Sequence, residues 1–290
     1  MTGERTMPDG VPAVHRLLAR TGGIAAPVGA VLVVAVAALA LFGPDPVPSG
    51  IRVVTLPVAV IGVLLLGAGT VSLFLRPTLR RSPVRLAPPV TGRWVAVNSP
   101  ATKVPSHGTH AYGQTFAVDL VLDDPDSGRR RPEHGGAQAF RAPTDYPAFG
   151  VPLRSPVDGT VVRVRDSQRD HRARANAAGV AYMVLDGLVR ELGGPGRVLG
   201  NHLVLRADTG EFVLLAHLQQ GSAEVRVGDR VGIGDPLARC GNTGNSSEPH
   251  LHLQVMDHPR PGRAVGLPMT FRGEGAAPDR VPADNEAMTV

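Results

Sequence analysis

Ser246-Ser247-Glu248-Pro249-His250-Leu251-His252-Leu253-Gln254-Val255 places two histidines one residue apart in an apolar run. In a strand, residues i and i+2 point to the same face. His250, His252 and Gln254 then share one face, while Leu251, Leu253 and Val255 share the other. The leucine face reads as core. The histidine face reads as a site, because adjacent imidazoles suit a metal, a proton relay, or one of each. The bland alternative is a pair of half-exposed histidines on an edge strand, so the decision rests on what lies upstream.

Phe212-Val213-Leu214-Leu215-Ala216-His217 is a second apolar strand, ending in a histidine. Taken alone, His217 is as readily a hydrogen-bonded core residue as a functional one. The segment His107-Gly108-Thr109-His110-Ala111-Tyr112-Gly113-Gln114-Thr115-Phe116-Ala117-Val118-Asp119 supplies two more histidines, then an aspartate within an apolar strand. A carboxylate there is costly to bury without a partner, and a metal is a natural candidate. A hydrolytic zinc site needs three neutral or anionic ligands and an open position for water. Val225–Ala238 alternates valine with Gly-Asp turns, and Cys240–Ser246 forms a Gly/Asn loop into the histidine strand.

The chain has 290 residues, enough for one or two domains with real cores. With 35 Gly, 27 Pro and 4% aromatics, turns and short strands are favoured over long soluble helices. The formal charge is +5, and Lys103 is the one lysine, so the basic charge is almost all arginine. Nothing resembles a nucleic-acid motif. Cys240 is the single cysteine, which excludes an internal disulfide.

Residues 1–22 read as a polar tail. Residues 24–43 and 53–75 are uncharged and apolar, and about 20 such residues span a bilayer. Together, residues 23–76 form an expected membrane hairpin. A cleaved signal peptide would use Arg16, Arg20 and an Ala38-Leu39-Ala40 site, but the second apolar run argues against it. Residues 77–93 read as a Pro/Arg-rich linker, 94–271 as the main domain and 272–290 as a loose tail. Expected strands are Arg93–Val97, Thr115–Leu122, Gly159–Val164, His202–Arg206, Glu211–His217 and His250–Val255. Ala173–Leu192, at roughly helical spacing, is an expected inserted helix.

The run from Gly200-Asn201 to His217, the Gly-Asp segment, Gly241-Asn242-Thr243-Gly244-Asn245 and Pro249-His250-Leu251-His252 together resemble the M23 family of zinc metallopeptidases, of the LytM/lysostaphin type. Gly150–Val162 is similar to that family's early strand pair, and the likeness covers roughly residues 94–270. The resemblance implies a mainly β, antiparallel domain of the duplicated-hybrid-motif kind, a Zn2+ cofactor and peptidoglycan as substrate. It implies His252 and Asp119 as zinc ligands. It also implies that His217 and His250 orient or deprotonate the attacking water and stabilise the oxyanion. The family's first histidine ligand precedes the aspartate by four positions, where this chain has Thr115. His110 is therefore expected as first ligand, folded back by the Tyr112-Gly113 turn, with His107 and then His134 as alternates.

The resulting expectation is a multi-pass membrane-anchored zinc endopeptidase acting on cell-wall peptide. The alternative is a non-catalytic domain that binds wall polymer or regulates a partner hydrolase. A lipoyl- or biotin-carrier reading of residues 225–238 fails, because no lysine lies near that segment. Arginines flank the hairpin at both outer ends, which by the positive-inside rule puts them in the cytoplasm. The substrate lies outside, and large domains translocate largely regardless of charge, so the outer face is expected. A reporter fused to the C-terminus is expected to be active only outside. Activity only inside would separate the domain from its substrate.

Overall fold

The computed structural model describes residues 11–44, 48–74, 78–273, 275 and 278–290. Residues 1–10 of the expected tail, 45–47 of the connector, Leu75 and Arg76 lie outside the described residues.

Two helices open the chain, α1 (Ala13–Phe42) and α2 (Ser49–Phe74), both long and apolar enough to cross a membrane. Helix α1 starts well before the expected span and carries Arg16 and Arg20 in its first turns. The two pack as a hairpin through glycines. A Cβ on Gly29 would lie 2.4 Å from the Leu66 nitrogen, and one on Gly69 would lie 2.4 Å from the Ala26 nitrogen. Small residues at such crossings let two apolar helices approach closely without a hydrophobic driving force.

The rest is built on one antiparallel sheet. Its strand order is Arg230–Val231, Gly159–Arg165, His202–Ala207, Phe212–Ala216, Leu251–Met256, Val118–Leu122, Arg93–Asn98, Ala287–Thr289, with Gly266–Leu267 also pairing with Leu251–Met256. Leu253 pairs with Leu215 and Val118, and Leu215 with Leu203. This row and its i±2 neighbours form the main core, with Trp94, Leu120, Leu205, Val213 and Leu251 fully buried. One residue along, the opposite face carries a polar row: Asp119 beside His252, then Ala216, His202 and Arg165. Alternation has thus put the main core on one face and, on the other, this polar row beside a smaller apolar cluster that includes Val204, Leu214 and Met256.

Two β-bulges adjust that sorting. Ala96 pairs with Leu120 on the core face, but Asn98 pairs with Asp119, skipping Val97. The extra residue turns Asn98 onto the face that carries Asp119. A second bulge between Val161 and Arg163 does the same for Arg163 and Arg165.

Several boundaries differ from the sequence expectation. The 77–93 segment is more than a linker: Val84–Leu86 pairs in parallel with Met269–Phe271, and Leu86 and Val90 are buried. The 272–290 tail is not loose either, because Ala287–Thr289 adds the edge strand beside Arg93–Asn98. The expected inserted helix forms as α3 (Ala177–Leu192), capped by the Asn176 side chain, which accepts from the Gly179 N–H at 3.1 Å.

The edge strand covers Trp94, the chain's single tryptophan, through Met288. Deleting residues 287–290 removes its ladder bonds and exposes Trp94, at a cost of about 2 kcal/mol. The expected outcome is a lower denaturant midpoint and a red-shifted tryptophan emission. An unchanged midpoint would mean that the strand adds nothing.

Candidate metal and catalytic site

Asp119 sits in the middle of the sheet and is almost completely buried. Four side chains answer its charge. The Nε2 of His107 lies 2.9 Å from Oδ2, which also accepts from the Asn98 amide at 2.9 Å. The Nδ1 of His252 lies 2.8 Å from Oδ1, and the Nε2 of His250 lies 3.6 Å from that oxygen. Burial pushes the Asp119 carboxyl up. The charges of His107 and His250 and the hydrogen bonds from His107 and His252 outweigh this and hold it well below the usual carboxylate range.

His107, Asp119 and His252 offer ligand atoms that all lie within 4.8 Å of one another. Both nitrogens of His252 face oxygens, Asp119 on one side and the Gln254 Oε1 at 2.8 Å on the other. Gln254 cannot be reversed without loss, because its Nε2 donates to the Tyr112 carbonyl at 2.8 Å. This hydrogen-bonded set therefore calls for a protonated imidazole. Burial lowers the His252 pKa, but the Asp119 hydrogen bond prevails and raises it. A cation among these three donors would replace that proton, and two nitrogens and a carboxylate oxygen are a donor set zinc accepts.

His217 and His250 flank the cluster, with ring centroids 4.7 Å apart; His217 lies 5.7 Å from His252. Each is oriented by a main-chain carbonyl. His217 Nδ1 donates to the Thr243 oxygen at 2.8 Å, and His250 Nδ1 to the Glu248 oxygen at 2.7 Å. That fixes the tautomer and leaves each Nε2 available toward the cluster. His217 has φ 59°, a left-handed conformation uncommon outside glycine. It is clamped there by its N–H on the Leu199 carbonyl (3.1 Å) and by Gly241, whose N–H donates to the His217 carbonyl (3.0 Å). Burial, reinforced by the charges of His250 and His252, keeps the His217 pKa well below its usual value, so the ring is neutral.

Asp119, His217, His250 and His252 thus come together as the sequence suggested, but the expected first ligand, His110, does not join them. The Tyr112-Gly113 turn forms with positive φ at both residues, yet it directs His110 to Thr115, whose Oγ1 is 3.0 Å from Nδ1. The return is made earlier. The Ser106 N–H donates to the Thr115 carbonyl at 3.1 Å, which lays His107 over Asp119. His134 is exposed. Asn98 was missed by the sequence reading, since strict alternation assigns it to the core face and only the bulge brings it to Asp119.

The M23 peptidase class is borne out by comparison with known proteins. The model of "Peptidase family M23" matches residues 140–264, a segment that spans somewhat under half of the chain. The matched span includes His217, His250 and His252 and leaves His107 and Asp119 upstream. Among similar solved structures is the catalytic domain of lysostaphin from Staphylococcus simulans: 20% identity, TM-score 0.31, covering 59% of this chain and 84% of that one. A zinc-containing peptidase from Vibrio cholerae is 21% identical at TM-score 0.29, covering 66% and 40%. The catalytic domain of a prophage-encoded M23 protein from Enterococcus faecalis is 15% identical at TM-score 0.34, covering 63% and 93%. The chain thus spans about two fifths of the Vibrio protein.

If the cluster holds an ion, His107→Ala and Asp119→Ala each lower zinc affinity by roughly 100-fold or more, whereas His110→Ala retains it. Zinc per chain after dialysis, measured by mass spectrometry, is the readout. Retention by His107→Ala with loss by His110→Ala would reverse the assignment.

Proposed function

We propose that the chain is a membrane-anchored zinc metalloendopeptidase that hydrolyses peptide bonds in peptidoglycan, with His107, Asp119 and His252 as the metal ligands. The observation that carries this reading is the convergence of those three donors on one point beside two carbonyl-oriented histidines, in a domain of peptidase family M23. His107 replaces His110 in this assignment because its ring is the one that meets Asp119. When bound, zinc supplies a Lewis acid and brings the pKa of its water to about 7.

The chain's own groups divide the remaining work. His217, neutral and with Nε2 available, takes a proton from the attacking water and passes it to the leaving amine nitrogen. His250, oriented by the Glu248 carbonyl, directs Nε2 at the developing oxyanion and donates to it when protonated. Asn98 keeps Asp119 in its rotamer by donating to the oxygen that also meets His107. Gln254 does the same for His252.

Helices α1 and α2 support the anchoring part of the reading, and access to wall peptide supports an outer-face domain. The non-catalytic alternative predicts purification without stoichiometric zinc.

Full-length protein in detergent, loaded with zinc, is expected to release new amino termini from purified peptidoglycan. His217→Ala and His250→Ala are each expected to keep zinc and to lose about 10²- to 10⁴-fold in kcat. No cleavage across several cross-bridge types by a zinc-loaded sample would overturn the enzyme reading.

A further inference from the structure

Helix α3 presents the wrong side to water. Toward the domain it turns Gly179, Met183, Asp186, Gly187 and Arg190, all buried or half-buried. Outward it turns Val184, Leu185, Leu188, Val189 and Leu192, which are 58, 65, 63, 67 and 84% exposed. Their spacing of i, i+1, i+4, i+5 and i+8 forms one continuous stripe. Such a contiguous aliphatic face is unusual on a soluble surface and marks an interaction site.

The orientation is built in rather than loose. On the inner side Asp186 pairs with Arg190 at 2.7 Å and faces Arg174 at 3.9 Å. Tyr182 packs edge-on against Phe140 and under the Arg174 guanidinium. A Cβ on Gly179 would lie 2.3 Å from the Ala139 carbonyl oxygen, so the helix sits hard against the domain there. Rolling the helix to hide the leucines would break all of these contacts.

The position of the C-terminal turn of α3 identifies the occupant. The carbonyl of Leu73, at the end of α2, accepts from the His110 N–H at 2.7 Å and from the Thr109 hydroxyl at 3.1 Å. Two residues on, the Tyr112 hydroxyl donates to Glu191 in the last turn of α3. Helix α1 reaches the same region: Arg16 pairs with Asp257 at 3.2 Å, and Gly23 lies against Gly262. The aliphatic stripe therefore ends one short loop from where the apolar hairpin meets the domain, with exposed Arg197 just beyond it.

We propose that α3 is an interfacial helix whose Val184–Leu192 face enters the headgroup–acyl boundary of the same bilayer that α1 and α2 span. An apolar stripe continuous with membrane-spanning helices, and a flanking arginine for lipid phosphates, are the features such a helix needs. On its inner side Gly187 abuts the Asn245 side chain, in the loop that leads to His250, so the membrane contact also fixes the rim of the site. This inference rests on the anchoring part of the proposed function.

Full-length protein in nanodiscs of phosphatidylethanolamine and phosphatidylglycerol tests it. Cys240 is fully buried, so a new surface thiol labels selectively. An environment-sensitive fluorophore is attached at Leu188→Cys, at Leu192→Cys, and at Val63→Cys in α2. Nitroxide-labelled lipids are expected to quench all three by about twofold or more. Quenching at Val63→Cys alone leaves the anchor standing and overturns the role of α3. If in that case both α3 probes are shielded from aqueous iodide, a protein surface or second copy covers the stripe instead. Absence of quenching at all three positions overturns the anchor and, with it, this inference.

Discussion

A carboxylate buried at the centre of a sheet is the constraint around which the domain is arranged. Removing one charge from water costs several kcal/mol unless it is paired, and Asp119 is paired from three directions. His252 comes from the neighbouring strand, Asn98 from the strand on the other side, and His107 from a loop folded over the face. Each partner imposes a structural demand. The histidine strand must keep its register against Val118–Leu122, the strand carrying Asn98 must bulge at Val97, and the 105–117 loop must close back on itself.

The same constraint explains why the two faces of the sheet differ. One residue along from the polar row, Val118, Leu253, Leu215 and Leu203 are sealed from water, and Val164 at the end of the row is partly buried. A slip of one residue in the histidine strand would put His252 among leucines and Leu253 against Asp119, exchanging both sets at once. The core thus defends the register on which the site depends. The left-handed turn at His217 is the local price of that arrangement, held by main-chain hydrogen bonds from both flanks.

Helices α1, α2 and α3 share a logic opposite to that of the sheet. The hairpin buries glycines and exposes aliphatics, and so does α3. In water this is unfavourable; beside lipid it is the stable arrangement, because close packing at small residues takes the place of hydrophobic burial. The loop from Thr109 to Gly113 joins the two arrangements, holding the end of α2 through the Leu73 carbonyl and the last turn of α3 through Glu191.

The sequence by itself determined the period-two alternation around His250 and His252, the apolar lengths of the two N-terminal helices, and the need of Asp119 for partners. These are local properties: strand pleat, span length and the cost of a charge are set by residues within a few positions of one another. Only the tertiary structure decided which histidine meets Asp119, since His107 and His110 are both within reach along the chain and the turn geometry selects between them. It alone brought Asn98 to the site, because a bulge breaks the alternation that sequence reading relies on. It also turned the 287–289 segment into a strand and the stripe of α3 outward. The reason is common to all four: strand pairing, bulges and helix docking depend on contacts between residues distant in the chain.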